Sequence, residues 1–169
     1  MRQPMDVSSQ PLIDADHAAF LQGGVSISVA ATRHGPIPSQ TRAFGCTVSS
    51  DRMQVTLFVG MDHAADLIAD IRNRGPIAAV FSQPSTHRTI QLKAQRADVR
   101  QLSEAELRLV DAYRDAFVKE TVAIGHAEAM VRAMLACAAD ELVAIDFMPT
   151  AAFSQTPGPR AGERLETRR

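Results

Sequence analysis

One short segment, SQPSTHRTIQLKA, contains the side chains best suited to bind a charged ligand. Its first half supplies hydroxyl groups around a proline turn, where backbone N–H groups can be left free, together with an arginine. Its second half alternates polar with apolar residues and adds a lysine. This mixture suits a phosphate together with the polar edge of a heterocycle. The candidate binding residues of the segment are Ser82, Thr86, His87, Arg88, Thr89 and Gln91.

The same segment also fits a purely structural role. Residues 88, 90, 92 and 94 alternate with residues 87, 89, 91 and 93, as in a strand with one solvated face. The serine and threonine hydroxyls would then do no more than cap the preceding turn. Taken alone, the segment favours this structural interpretation over a binding site.

A second cation, Arg42, stands on a face where an arginine is costly. It shares one side of a predicted strand with Phe44 and Cys46. An unpaired guanidinium on such a face needs a carboxylate, a ligand anion or an opening to solvent. Gly45 leaves a gap in the opposite side of the strand, which indicates either a close approach to the backbone or a bulge. Arg42 therefore raises the weight of the binding interpretation.

No familiar catalytic motif accompanies these residues. The chain has no GxSxG, HExxH, Walker A or GxGxxG arrangement. The five histidines are scattered and the two cysteines lack metal-ligand spacing, so we predict neither a metal site nor a disulfide. If the chain is an enzyme, a cofactor is expected to carry the chemistry.

Composition predicts one globular domain that binds neither nucleic acid nor membrane. The 169 residues are 46% hydrophobic and 22% charged, and the net charge is -1. One tyrosine and no tryptophan leave little for base stacking. The amino terminus lacks the apolar core of a signal peptide, and no apolar run approaches the roughly 20 residues of a membrane span. We expect a cytoplasmic protein.

The pattern along the chain predicts helix, three strands, helix, two strands, two helices and strand. This order favours an α+β fold with a mostly antiparallel sheet or barrel. The predicted strands are 25–29, 40–49, 53–59, 77–82, 87–99 and 141–154, with turn residues at 33–39. We expect residues 1–155 to form the domain and 156–169 to be a flexible tail or an arm onto a partner subunit.

Helix ends and buried helix faces can also be predicted. Asp14 is expected to cap the first helix and Asp62 the second, while Ser103 and Glu106 fit a capping box. Two further sets are expected to be buried. They are Leu109, Val110, Tyr113, Ala116 and Phe117 of the third helix, and Met130, Met134 and Leu135 of the fourth.

The element order and the segments TRAFGC, VTLFV, AAVFSQPSTHRTIQLKA and FSQTPGP resemble the pyridoxamine 5'-phosphate oxidase-related family. The resemblance covers roughly residues 14–159. It implies a six-stranded split β-barrel with flanking helices, a homodimer, and FMN held at the dimer interface. It also implies an FMN-dependent oxidoreductase acting with a small-molecule substrate or electron donor. Carried over by position, the cofactor-binding residues are Arg42, Ala43, Phe44, Gly45, Phe58, Val59, Arg88 and Thr89.

The chain departs from the family pattern at several of these positions. The oxidase has Ser-Arg-Lys before its first long helix, where this chain has residues 62–64, Asp-His-Ala. Where the family has a lysine at the end of the second strand, this chain has Thr47, and where the family has a glutamine on the fifth strand, this chain has Thr89. The family's carboxyl-terminal tryptophan has no counterpart, because the chain contains no tryptophan. Pyridoxine phosphate is therefore not the expected substrate. The alternative is a haem-binding or haem-degrading split barrel, or a cofactor-free stress protein.

Overall fold

The computed structural model describes residues 10–32 and 37–165, so residues 33–36 of the predicted turn lie outside it. The described residues form four α helices, one 3-10 turn and a single sheet of eight strands. In chain order they are α1 (Ala15–Leu21), β1 (Ser26–Ala31), β2 (Ser39–Val48), β3 (Val55–Gly60), α2 (Ala65–Arg72), β4 (Ile77–Ser82), β5 (Thr89–Ala94), β6 (Ala97–Gln101), α3 (Glu104–Val122), α4 (Glu128–Met134), the 3-10 turn (Ala139–Glu141), β7 (Leu142–Phe147) and β8 (Ala151–Ser154).

Every neighbouring pair in the sheet is antiparallel, and the strand order is β6-β7-β3-β2-β1-β4-β5-β8. β5 and β6 stand near opposite ends of this order, yet only two residues separate them in the chain. In a flat sheet they would lie about 29 Å apart, whereas such a link spans about 10 Å. The sheet must therefore curl until its two edges approach each other, which produces a split barrel.

The predicted fold class is confirmed, with a difference in strand number. The predicted strand 87–99 divides into β5 and β6, and the predicted strand 141–154 divides into β7 and β8. Each pair begins near one edge of the sheet and ends near the other, because the chain bends across the barrel between them. Within the described residues the sheet consequently has eight strands instead of six, and no hydrogen bonds close it.

Alternate side chains of the strands fill the barrel interior. In β1 and β4 the inward residues Ile27, Val29, Ala79 and Phe81 are fully buried, while the residues between them are only half-buried. β3 is buried along its whole length, in the middle of its half of the sheet. The interior is thus filled by protein side chains, and ligand-sized space must be sought outside it.

Two of the three predicted helix caps are present. Asp14 accepts a hydrogen bond from the backbone N–H of His17 at 2.7 Å, and Ser103 with Glu106 forms the capping box of α3. The predicted cap at Asp62 is wrong, because α2 begins after Ala64 without a side-chain cap. Residues 61–64 form a separate turn, which places Asp62 outside the first turn of the helix.

The methionines of α4 are not core residues, which corrects the predicted burial. Met130 and Met134 are 56% and 48% exposed, and the short helix buries Val131 while Leu135 is buried just after it. Leu109 of α3 is likewise 44% exposed. The rest of the α3 prediction is confirmed at Val110, Tyr113 and Phe117, which are buried.

The described part of the carboxyl-terminal segment lies against its own chain. The backbone N–H of Leu165 donates to Ala152, and that of Ser154 donates to Glu163. Residues 155–165 therefore turn back along β8, and residues 166–169 lie outside the described part. Among the described helices, none combines the length and apolar character needed to cross a membrane.

Candidate functional site

Arg42 lies in a row of side chains that crosses five strands on the outside of the sheet. Its β1 partner is Ser28, which pairs on its other side with Val80 of β4. Val80 pairs with Gln91 of β5, and Gln91 with Phe153 of β8. All five are half-buried. The barrel register thus brings Arg42 and Gln91, 49 positions apart in sequence, onto one surface.

We call this surface the outer face. It consists of the outward residues of β2, β1, β4, β5 and β8. They are Gln40, Arg42, Ser26, Ser28, Ala30, Ala78, Val80, Ser82, Thr89, Gln91, Lys93, Ala151 and Phe153. Most are small or uncharged, so the centre of the face is shallow and can admit a flat group.

The outer face carries two cations and no carboxylate among these described residues. Lys93 is exposed, and its Nζ lies 5.2 Å from the centre of the Phe153 ring. None of the ion pairs among the described residues includes Arg42 or Lys93. The local charge of this surface therefore favours an anionic ligand.

The surroundings of Arg42 leave one guanidinium nitrogen without a partner. Its Cζ lies 5.5 Å from the centre of the Phe117 ring, a cation–π contact from α3. Its Nη1 is buried and makes no hydrogen bond, the one such side-chain atom in the part of the chain that the structure describes. A buried donor in this state is costly unless something absent from the chain itself accepts from it.

A β-bulge lets α3 approach the strand that carries Arg42. The pairing of β2 with β3 shifts register between Ala43 and Cys46, and Gly45 there has φ +131°. A Cβ on Gly45 would lie 3.2 Å from side-chain atoms of both Phe58 and Tyr113. Gly45 thus makes room for the protein's own aromatic rings. The bulge also ends the simple alternation predicted for residues 42–48.

Sequence reasoning did not assign Phe117 and Tyr113 of α3 to the site. Both were predicted as ordinary members of a buried helix stripe, and both are indeed buried. Nothing in the helical spacing distinguishes a ring that supports an arginine from one that fills the core. The one hint in the sequence was Gly45, which was predicted to mark either a close approach to the backbone or a bulge.

Five of the predicted cofactor-binding residues lie in the core or at its boundary. Ala43, Phe58 and Val59 are fully buried, and Phe44 is 4% exposed. Gly45 is buried against the rings just described. These residues belong to β2 and β3, and none of them lies on the outer face.

Next to the Arg42 row, Ser82 and Thr89 sit opposite each other on β4 and β5. Their hydroxyl oxygens are 2.8 Å apart, and the Thr89 hydroxyl also donates to the His87 carbonyl at 2.9 Å. These two predicted site residues are therefore on the outer face, with their hydroxyls hydrogen-bonded within the chain.

The turn between β4 and β5 is internally hydrogen-bonded, which corrects the expectation of free backbone donors. The N–H groups of Gln83 and His87 donate to the carbonyls of Arg88 and Gln83, and that of Ser85 donates to Glu120. The Ser85 hydroxyl binds the same Glu120 carboxylate, and the Thr86 hydroxyl donates to the Gln83 side chain. A carboxylate at this turn makes it a poor place for a phosphate.

Arg88 is also occupied within the chain. Its Nη2 lies 2.6 Å from the Asp16 carboxylate, and its Cζ lies 4.4 Å from the centre of the Phe20 ring. Hydrogen bonding to Arg88 holds the pKa of the Asp16 carboxyl below its usual range. Arg88 therefore ties α1 to the start of β5, whereas Arg42 retains a free donor.

A cavity of about 900 Å³ lies on the other side of Arg88, between α1, the start of β5 and the carboxyl-terminal segment. It is lined by side chains of both signs, among them Asp14, Asp16 and Arg160. The side-chain atoms of Asp14, Asp16 and His17 that could bind a metal ion lie within 4.8 Å of one another there. Asp14 already caps α1 and Asp16 already pairs with Arg88, so these groups have structural roles.

The sequence matches no known family profile and no curated protein. Among solved structures, HupZ of group A Streptococcus aligns with a TM-score of 0.54 at 15% identity, over 89% of this chain and 99% of HupZ. An F420 reductase aligns with a TM-score of 0.54 at 14% identity, over 83% of this chain and 98% of the reductase. A pyridoxamine 5'-phosphate oxidase candidate from Lactobacillus delbrueckii aligns with a TM-score of 0.53 at 9% identity, over 87% of this chain and 97% of the other.

At these identities the likeness establishes the fold. The chain has the split-barrel fold of the pyridoxamine 5'-phosphate oxidase-related proteins, and nearly the full length of each of these neighbours is aligned. The predicted resemblance is confirmed at this level.

Proposed function

We propose that this chain binds FMN on the outer face beside Arg42 and works as an FMN-dependent oxidoreductase. The observation that carries the proposal is the buried Nη1 of Arg42, which has no hydrogen-bond partner. A phosphate oxygen would accept from it once the half-buried Arg42 side chain turns Nη1 toward the open face. An arginine fork suits phosphate better than a lysine does. The fold of the aligned structures is consistent with such a ligand.

Different residues of the outer face would bind the phosphate, the ring and the polar edge of an aromatic phosphate ester. Arg42 would hold the phosphate, and the small side chains of Ser28, Ala78 and Val80 would leave room for a flat ring. Gln91, in the same row as Arg42, offers an amide to the polar edge of that ring. When bound, FMN supplies the capacity to accept and release electrons, so no protein nucleophile is needed.

We place the phosphate at Arg42 and not at the turn between β4 and β5. The turn's donors are engaged within the chain, and Glu120 brings a negative charge to it. Thr86, His87 and Arg88 would then shape the end of the site without gripping the phosphate. Thr89 and Ser82 would border the ring from the next row of the face.

The proposal includes a second copy of the chain. In one copy the outer face is only half-covered, although it belongs to the central strands β1 and β4. A ligand lying there would have one side open to water. A homodimer formed through this face would enclose the ligand between two copies and exclude water from the ring.

The test is a titration of the purified protein with FMN, followed by the visible spectrum and by quenching of flavin fluorescence. The wild type should bind FMN, and Arg42→Ala should weaken binding about 10- to 100-fold, the effect of one charge-assisted contact. Arg72→Ala, an exposed arginine at the end of α2, is the matched control and should change nothing.

Two outcomes would overturn the proposal. One is a wild-type protein that takes up no FMN, and the other is equal affinity in wild type and Arg42→Ala. A Soret band on addition of haem, without flavin uptake, would decide for the haem-binding alternative.

A further inference from the structure

Lys93 lies on the outer face three strands away from Arg42. We infer that Lys93 binds an anionic group of the substrate or electron donor, so that this small molecule carries a carboxylate or a phosphate. The inference rests on the proposed function, because it names the substrate class of the same site. Carboxylate and phosphate share a negatively charged oxygen, which accepts hydrogen bonds from an ammonium group.

The position of Lys93 in the sheet does not explain a charge there. Lysines often protect the edge strands of sheets, but β5 is paired on both sides, with β4 and with β8. The cross-strand partners of Lys93 are Ala78 and Ala151, which offer it no carboxylate. None of the ion pairs among the described residues includes Lys93. Its charge is therefore available to a ligand.

An aromatic ring of β8 supports the Lys93 side chain. Nζ lies 5.2 Å from the centre of the Phe153 ring, a cation–π contact. Phe153 is the cross-strand partner of Gln91, so this diagonal contact turns the ammonium group toward the row that contains Arg42. Arg42 is supported in the same way, over the ring of Phe117. Both cations of the outer face are thus held in place before a ligand binds, which lowers the entropy cost of binding.

The neighbouring Gln91 adds hydrogen-bond donors on the same side of β5. Its side-chain Oε1 accepts from Nε2 of Gln155 at 3.3 Å, which leaves the amide NH₂ group of Gln91 available to a ligand. Gln155 is fixed in turn, because its backbone N–H donates to the Thr89 carbonyl at 2.8 Å. Lys93 and Gln91 are two residues apart and point to the same side of the sheet. Together they present donors, which an anionic group matches.

The experiment compares benzoate with benzamide as probes of the FMN-loaded protein, by titration calorimetry. The two probes are flat rings of nearly the same shape, and only benzoate is charged. The wild type should bind benzoate about 5- to 30-fold more tightly, the effect of a charge-assisted contact that water partly screens. Lys93→Met should lose this preference through weaker benzoate binding, with the Kd for benzamide unchanged. Lys93→Arg should keep the preference.

Phenyl phosphate identifies the preferred anion when it is titrated beside benzoate. Lys119→Met is the matched control, since Lys119 is the only other lysine of the sequence and lies exposed on α3. It should leave all three constants unchanged. Equal wild-type affinities for the charged and the uncharged probe would overturn the inference. A wild type that binds neither anion, or a preference for anions that persists in Lys93→Met, would do the same.

FMN affinity separates this inference from the proposed function. Lys93→Met should bind FMN like the wild type, because the phosphate is placed at Arg42, and weaker FMN binding would count against the role inferred for Lys93. If FMN binding depends on Arg42 and the preference for benzoate is absent, only the inference fails. If the wild type binds no FMN, the proposed function fails and takes the inference with it.

Light scattering covers the case in which Lys93 pairs with a second copy of the chain. The Lys93→Met variant should have the same mass as the wild type. A lower mass would assign the ammonium group to an interface between copies and overturn its role in binding the substrate.

Discussion

At the scale of the residue, Arg42 favours ligand binding and lowers the stability of the ligand-free protein. Its buried Nη1 has no partner, so the ligand-free chain bears a desolvation cost that a phosphate would remove. Groups that serve a site often cost stability when the site is empty. Arg42 should therefore behave differently from a structural arginine such as Arg88, which is paired with Asp16 and stacked on Phe20.

Replacing Arg42 by methionine should leave the ligand-free protein as stable as the wild type or up to about 1 kcal/mol more stable. The reason is that an unsatisfied donor is exchanged for an apolar side chain of similar length. Thermal denaturation without ligand measures this effect. At the same concentration, added FMN should raise the Tm of the wild type more than that of Arg42→Met. The control, Arg88→Met, should lower the Tm. A larger loss in Arg42→Met than in Arg88→Met would contradict the prediction.

At the scale of the element, the bulge in β2 is the feature on which the site depends most. Gly45→Ala should destabilise the protein by about 2–3 kcal/mol, because a φ of +131° strains alanine and its Cβ would press on Phe58 and Tyr113. Gly125→Ala is the control, since Gly125 has φ +96° with nothing within 4 Å of the added Cβ. Urea denaturation should show a loss of only about 1 kcal/mol for that variant. Equal losses would mean that the contact with α3 is not tight.

A second prediction at this scale concerns the ion-pair network joining β6, α3 and β7. Arg100 bonds Glu106 at 2.6 Å and Asp146 at 2.7 Å, and hydrogen bonding to Arg100 lowers the pKa of Glu106 to about 2. Because this folded-state pKa lies below the ordinary value of 4.5, the stabilisation is complete above about pH 4.5 and is lost as the pH falls toward 2.

The loss attributable to Glu106 should be roughly 1–2 kcal/mol, since Arg100 is 41% exposed and water screens the pair. Glu106→Gln should remove this part of the pH dependence and flatten the free energy of unfolding between pH 5 and 2. Denaturant titrations at a series of pH values would show it. An unchanged slope in the variant would place the acid sensitivity elsewhere.

These elements also show which features the sequence can reveal. The caps at Asp14 and Ser103 were predicted correctly, because a cap depends on residues within one turn of each other. The predicted strand 87–99 was long enough to bend or cross the sheet, but the position of its division into β5 and β6 was not predicted. It depends on pairing with β4, β8 and β7, which no local pattern encodes. The predicted cap at Asp62 failed for a related reason, since the chain makes a separate turn after β3.

At the scale of the whole molecule, the site arises from register and could be predicted only in part. Arg42 and Gln91 were both recognised as candidates, but their common row follows from three successive strand pairings. Thr86 and Arg88 were predicted beside them on proximity in sequence, and the structure directs them to Gln83 and Asp16 instead. A curled sheet brings residues that are distant in sequence onto one surface, and it can direct residues that are adjacent in sequence to different surfaces.

The outer face should also be where two copies of the chain meet, and a charge placed on this face tests the prediction. Ala30 lies between Gln40 and Ala78 on that face, in the row next to that of Arg42, so Ala30→Glu would put a carboxylate within the proposed interface. We expect the wild type to have the mass of a dimer by light scattering, and Ala30→Glu to have half of it. The variant should also bind FMN more weakly although Arg42 is intact, because the second copy no longer covers the ligand. Ala69→Glu, on the exposed side of α2, should remain a dimer with normal affinity. A wild type that binds FMN tightly as a monomer would show that one copy is sufficient, and that the outer face has another role.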